Sequence, residues 1–261
     1  MSTASGESAG LLAVSSLSKR FGGLVALRDV TFTTITNRVT SIVGPNGAGK
    51  TTLFNLISGV IRPDQGRVVF DGADVSGWAS HRLAAAGLAR TFQNVQLFSN
   101  LNALENVMVG RVNRNSLCVL DSLLMLPRER RERRARMERA EAMLELVGIA
   151  DKKLAFPKEL AYGDQKRLEI ARALATEPKL LILDEPTQGM VAREANNVVK
   201  LMADLTARGI TILLIEHNMN VVMTASDKVV VINFGEKIAE GPPAAVRANP
   251  QVIEAYLGAE A

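Results

Sequence analysis

Cysteine is nearly absent from this 261-residue chain: Cys118 stands alone, which excludes an internal disulfide and fits a reducing cytosol. No apolar run reaches the roughly 18 residues needed to cross a bilayer. The first ten residues, MSTASGESAG, have neither a basic start nor an apolar stretch, and are expected to be a flexible tail rather than a secretory signal. No internal repeat and no sustained heptad pattern is present. There are two histidines, of which His81 has no motif around it and reads as surface. What is there is ordinary for a globular protein: 47% hydrophobic, 22% charged. A chain of this length buries roughly three quarters of its unfolded surface, so a proper core is available.

The pI of about 9.4 invites a nucleic-acid reading, but the excess charge is local. RERRERRARMER, 128–139, has seven Arg and three Glu, and its net +4 equals that of the whole protein. Glu129–Arg133 and Glu132–Arg136 have the spacing of helix-stabilising pairs. The run therefore reads as a solvated helix face, with contact to anionic headgroups or a partner as the alternative.

The opening half alternates β-branched runs with turns. Leu11–Leu17 and Leu27–Ile35 read as strands, Val39–Val43 as a short apolar strand ending at Gly44, and Leu53–Ser58 as a helix continuing from the Gly-rich loop. Arg67–Phe70 followed by Asp71-Gly72 reads as a strand entering a tight turn. From Leu101 to Thr176 the period is helical: Asn102 and Glu105 have capping-box spacing, and Met137, Ala140, Leu144 and Val147 share one face of the basic helix, which Gly148 ends. Pro157 closes the loop before the next helix. Lys179–Leu183, Ile210–Ile215 and Lys228–Asn233 are then apolar strands, as in a parallel sheet buried on both faces. The fold class is α/β, with a mixed or parallel sheet core, an N-terminal antiparallel β part and an inserted helical block at about 94–176.

GPNGAGKTT, Gly44 to Thr52, satisfies phosphate-loop spacing with Gly44, Gly49, Lys50 and Thr51. Glycines let backbone N–H groups turn toward phosphate oxygens, and the following helix presents its positive end. Lys50 supplies a cation for the β- and γ-phosphates of a nucleoside triphosphate, and the Thr51 hydroxyl can ligate Mg²⁺. In LLILDEP, Asp184 and Glu185 fall at the C-terminal end of a buried strand, where α/β sheets hold ligands. Two adjacent carboxylates there are costly without a cation nearby.

With LAYGDQKR, Leu160 to Arg167, these motifs in chain order resemble the ATP-binding subunit of ATP-binding cassette (ABC) transporters, from about Leu11 to Gly258. The AYGDQ form, RFGGLVAL (Arg20 to Leu27) and VIEAYLG (Val252 to Gly258) resemble the branched-chain amino acid importers within that family. The resemblance implies a P-loop NTPase fold over 11–258 with short tails at 1–10 and 259–261. It also assigns roles. Asn46, Gly47, Ala48 and Thr52 join the rest of the loop in binding nucleotide, and Phe21 stacks on adenine. Asp184 orients Mg²⁺, Glu185 polarises the attacking water, and His217 contacts the γ-phosphate. Gln93, in RTFQN, touches Mg²⁺ and reports to a neighbouring subunit.

Two segments depart from the family pattern. Ala161, Tyr162 and Asp164 replace Ser, Gly and Gln in the signature, which with Gly163 is expected to close over ATP held by a second cassette, identical or different. The lost serine hydroxyl is worth roughly 1.5–3 kcal/mol for a charged acceptor. After the acidic strand, Val191 stands where the family has Asn or Asp facing the dimer partner. This leaves three consequences open: a weak composite site, altered coupling, or a neutral change.

The implied function is ATP hydrolysis powering an importer, peripheral to the cytoplasmic side of the inner membrane. Transmembrane permease subunits and, indirectly, a solute-binding protein are the implied partners, without nucleic acid. A soluble ABC-type ATPase acting on ribosomes or DNA, a regulatory cassette and an exporter cassette are the rivals. In the helical block, LCVLDSLLML, 117–126, is expected to be core or a groove for a permease helix.

Overall fold

The computed structural model describes the backbone of residues 10–93, 95–110 and 127–257, and their side chains except those of 127–132 and 257. The apolar segment 117–126 with Cys118, and the side chains of Glu129 and Glu132 of the expected charge pairs, lie outside these. The chain divides into two compact units: the first gathers the described residues of Met1–Ser80 and Thr206–Ala261, the second those of His81–Leu205.

In the first unit the strands Leu12–Phe21 and Leu24–Thr33 pair antiparallel, and Gln65–Phe70 and Ala73–Asp74 extend that sheet. The first strand runs on past Leu17, and the second begins before Leu27 but stops at Thr33, short of Ile35, because each carries a break in its pleat. Ser16 and Asp29 sit at φ 48° and 49°, and the register shifts between Val14 and Leu17. Side chains repair the ladder: the Ser16 N–H donates to Thr31 Oγ1 at 2.8 Å, and the Asp29 N–H to Ser18 Oγ at 3.0 Å. Asp71 and Gly72 both have positive φ between paired Phe70 and Ala73, which is the turn the Asp-Gly dipeptide favours.

Val39–Val43 lies between Thr211–Ile215 and Lys228–Asn233 in parallel, and Glu236–Gly241 adds antiparallel at the outer strand. Every residue of Val39–Val43 and Thr211–Ile215 is buried, which is why their hydrophobicity is continuous rather than alternating. Ser41 survives there because its hydroxyl bonds Ser226 Oγ at 2.6 Å.

The second unit holds the parallel pair Leu88–Arg90 and Leu180–Asp184 with helices Ala103–Val109, Pro127–Leu146 and Tyr162–Leu174. Asn102 and Glu105 form the reciprocal capping box at 2.9 Å in each direction. The basic helix buries Ala140, Leu144 and the following Val147, but Met137 is 39% exposed, so the apolar stripe starts one turn later than its spacing suggests. Gly148 (φ 74°) ends it: the Gly148 N–H donates to Glu145 O and the Ile149 N–H to Leu144 O, a Schellman closure sealed by fully buried Ile149. Among the described residues no helix is long and apolar enough to cross a membrane.

Candidate active site

In the first unit, the buried strand Val39–Val43 delivers the chain to Gly44, where a Cβ would lie 2.0 Å from Ile232 O. At Gly49, φ is 101° and a Cβ would lie 2.6 Å from Ala26 O and 2.9 Å from Leu27 Cδ2. Both positions therefore require glycine for close approach of backbone to backbone. The helix Lys50–Ile57 that follows has Gly49 as its N-cap, no side-chain cap and no acidic residue in its first turn. Its orphan N–H groups and positive end are left unopposed, which suits an anion. Lys50 Nζ donates to Gly44 O at 2.6 Å and Pro45 O at 2.8 Å, folding the ammonium back over the loop. Asn46, Gly47 and Thr51 are exposed, Thr52 is half-buried and Ala48 is buried. Sequence reasoning missed the support beneath this loop. The hairpin turn Phe234-Gly235 donates its Gly235 N–H to Ala48 O at 3.0 Å, while Gly235 O accepts from the Arg28 N–H at 2.8 Å.

The same unit carries Phe21, 48% exposed at the end of its strand, with Lys19 Nζ 5.6 Å from the ring centroid. His217 is exposed directly after the fully buried Glu216. Asn218 turns the chain there by accepting from the N–H groups of Asn220 and Val221, capping helix Met219–Ala225.

In the second unit the fully buried strand Leu180–Asp184 ends in the acidic pair. Asp184 is 5% exposed and accepts from Arg90 Nη2 at 3.0 Å, with its N–H donating to Thr91 Oγ1 at 3.2 Å. Burial pushes its carboxyl pKa up; Arg90 pulls against this and the neighbouring Glu185 adds to it. Glu185 sits at φ 48°, a left-handed conformation costing of order 1–2 kcal/mol for a side chain of this kind. Gln93 Nε2 donates to Glu185 Oε2 at 3.1 Å, so the structure brings these two predicted residues together.

Gln93 is itself held. Its carbonyl accepts from Lys166 Nζ at 2.6 Å, the Phe92 N–H donates to Glu169 Oε1 at 3.2 Å, and Arg172 Nη1 donates to Gln96 O at 2.5 Å. Lys166, Glu169 and Arg172 recur every third residue along the signature helix Tyr162–Leu174, and the first two are 2% exposed. Burial raises the Glu169 pKa and lowers that of Arg172.

The N-cap of the signature helix is Ala161, which provides no side-chain cap. Gly163 is buried, and a Cβ there would come within 3.3 Å of the Glu194 carboxylate. Tyr162 is 43% exposed, with its ring against Gly189. Asp164, the last of the four expected signature residues, is engaged within its own unit. It is 3% exposed, and its two oxygens accept from Lys152 Nζ and, at 2.5 Å, from Arg167 Nη2. The carboxylate is consumed in fixing the helix start. Gln165 does similar work, donating through Nε2 to Pro157 O and Leu160 O at 3.0 Å each.

The ABC transporter family model matches residues 27–188, more than half of the chain, spanning the phosphate loop, the signature and the acidic pair. This chain belongs to the ABC transporter family. It is an ABC ATPase cassette, an ATP-hydrolysing transporter subunit. A second model, branched-chain amino acid ATP-binding cassette transporter, matches residues 236–261. The cassette is 43% identical over 249 residues, 95% of this chain and 98% of the relative, to the high-affinity branched-chain amino acid transport ATP-binding protein BraF of Pseudomonas aeruginosa. It is 33% identical over 248 residues, 95% and 97%, to the lipopolysaccharide export system ATP-binding protein LptB of Haemophilus influenzae. Among solved structures it resembles the ADP conformation of MJ1267, an ATP-binding cassette of an ABC transporter, with TM-score 0.82 and 33% identity over 95% of this chain and 98% of that one.

Proposed function

We propose that this cassette hydrolyses Mg-ATP to drive import of branched-chain amino acids or related small solutes, docked on permease subunits at the cytoplasmic face of the membrane. The observation that carries the chemistry is Glu185, held at positive φ and bonded by Gln93 directly after a buried Asp184. Strain at a carboxylate is retained where its direction matters more than its cost.

In this reading Gly44, Asn46, Gly47, Ala48, Gly49 and Thr52 wrap the phosphates, and Lys50 exchanges its carbonyl partners for phosphate oxygens. Phe21 stacks on adenine through its exposed face. Thr51 and Asp184 are the residues that would hold Mg²⁺. Among the described residues no cluster of three or more His, Cys, Asp or Glu is placed to hold a metal. A hard cation taken by a hydroxyl, a carboxylate and phosphate oxygens does not need one. When bound, Mg²⁺ neutralises charge on the phosphate oxygens. Glu185 takes a proton from the attacking water, Gln93 orients Glu185 and senses the cation, and His217 contacts the γ-phosphate. Ala161, Tyr162 and Gly163 offer backbone N–H groups to the ATP of a second cassette.

Glu185→Gln should bind ATP like the parent, lose turnover and accumulate as an ATP-bound dimer; near-parental hydrolysis would remove Glu185 from this role. The transport reading rests on the C-terminal match at 236–261. The lipopolysaccharide-export relative supports a second reading, an exporter cassette. Uptake of labelled leucine in cells with and without the cassette separates the two.

A further inference from the structure

The ending VIEAYLG has no part in the chemistry described above. Its helix, Pro250–Leu257, belongs to the same unit as the phosphate loop. Tyr256 packs there against a buried cluster that includes Val43, Val231, Val246 and Val252, and Val43 is the residue immediately before Gly44. Apolar contacts thus fix the ring. The hydroxyl is buried and has no hydrogen-bond partner among the described residues. The polar group that bears on it is the Gly44 backbone N–H, which opposes the upward pKa shift that burial imposes on the phenol yet falls short of a formed hydrogen bond.

A buried hydroxyl left unpaired is costly, and phenylalanine would fill the same space without that cost. Gly44, in turn, lies where nucleotide rearranges the loop. Its carbonyl accepts from Lys50 Nζ at 2.6 Å, and phosphate competes for that ammonium when nucleotide enters the loop.

We propose that Tyr256 is a positioning residue for the phosphate loop: its hydroxyl oxygen accepts from the Gly44 N–H as the loop settles around nucleotide, tying the C-terminal helix to the first glycine of the cradle. This rests on the ATP-binding reading above. The segment matched by the branched-chain cassette model then has a physical task, setting how readily the loop accepts its ligand.

The test is Tyr256→Phe in the full chain, which keeps the ring and removes only the hydroxyl. Equilibrium titration with ATP should show binding weakened about two- to tenfold, the range of one net hydrogen bond. KM for ATP should rise with kcat held, while the nucleotide-free melting temperature is unchanged or higher. Tyr256→Leu, which also removes the ring, should lower both affinity and melting temperature. Unchanged ATP affinity in Tyr256→Phe would overturn the proposal, and so would a parallel fall in affinity and nucleotide-free stability, which signals packing alone. Absence of ATP binding in the parent would remove the underlying reading and this inference with it.

Discussion

Val191 is the residue whose chemistry departs furthest from its expected surroundings, being 66% exposed at the entrance to helix Ala192–Ala207. It serves as an N-cap through its backbone alone. Its carbonyl accepts from the N–H groups of Glu194 and Ala195, and its own N–H donates to Glu194 Oε2 at 3.3 Å. Valine offers no side-chain acceptor to the first turn. Val191→Asn should therefore stabilise the nucleotide-free protein by about 1 kcal/mol, readable by denaturant unfolding. A separate rise in ATPase activity with permeases present would show that the same position also meets a partner across the dimer. Stability rising alone would make the valine neutral for turnover. Asp164 and Glu185 show how far single residues could be read from sequence. The place of Glu185, at the end of a buried strand, was legible because four buried apolar residues lead into the acidic pair. The fate of Asp164 was not, because Lys152 and Arg167 reach it from either side in sequence and no spacing rule links all three.

Among elements, the signature helix does the most that its pattern conceals. Lys166, Glu169 and Arg172, three residues apart, grip Phe92, Gln93 and Gln96, whose backbone supplies the partners. Backbone partners leave no mark in sequence. The capping box at Asn102 and the Gly148 terminus were legible for the opposite reason: each is local, with its whole geometry inside six residues. Asn106 was missed for the same cause. It is fully buried, and its amide donates to the carbonyls of Phe98, Leu101 and Asn102, stitching the preceding loop to its helix.

The buried charge on this helix has a consequence for pH. Glu169 has its pKa raised by burial, so the folded protein holds that proton at pH values where the unfolded chain has released it. Its contribution to stability is full below the ordinary glutamate value of about 4.3 and falls as pH rises through the higher folded value. Glu169→Gln does not titrate. The stability of the parent relative to Glu169→Gln should therefore decline as pH rises from 4 toward neutrality, measured by urea unfolding at fixed ionic strength. A flat difference would mean that Glu169 is no more easily protonated in the fold than out of it.

For the molecule as a whole, the apolar central strands and the three motifs were legible because buried parallel strands are continuous in hydrophobicity and end at chemistry. The ends of the first hairpin were not, because the breaks at Ser16 and Asp29 rephase the alternation that sequence reading relies on. The net charge of +4 is as local as its sequence suggests. Arg133, Arg134 and Arg139 are exposed, and Arg134 pairs with Glu138 at 2.9 Å. A solvated face of this kind tolerates substitution within about 0.5 kcal/mol. Arg133→Gln with Arg134→Gln should leave melting temperature, ATPase activity and sedimentation with anionic vesicles unchanged. Loss of vesicle binding in that variant would instead assign the helix to the lipid surface.

The clasp of Phe234-Gly235 on Ala48 bears on which changes this protein can accumulate. Both bonds of the clasp run between main-chain atoms, so neither depends on the identity of the residue at 234, whose side chain is 88% exposed at φ 46°. The burden falls on Gly235, where φ is 81° and a methyl group would stand 2.7 Å from Ala26 O. The two neighbours therefore stand at opposite ends of the scale of replaceability. Position 234 is open to drift, and gains by acquiring asparagine, which takes a left-handed conformation more readily than phenylalanine. Position 235 is locked, and the lineage can vary one face of the hairpin freely while the nucleotide cradle behind it stays put.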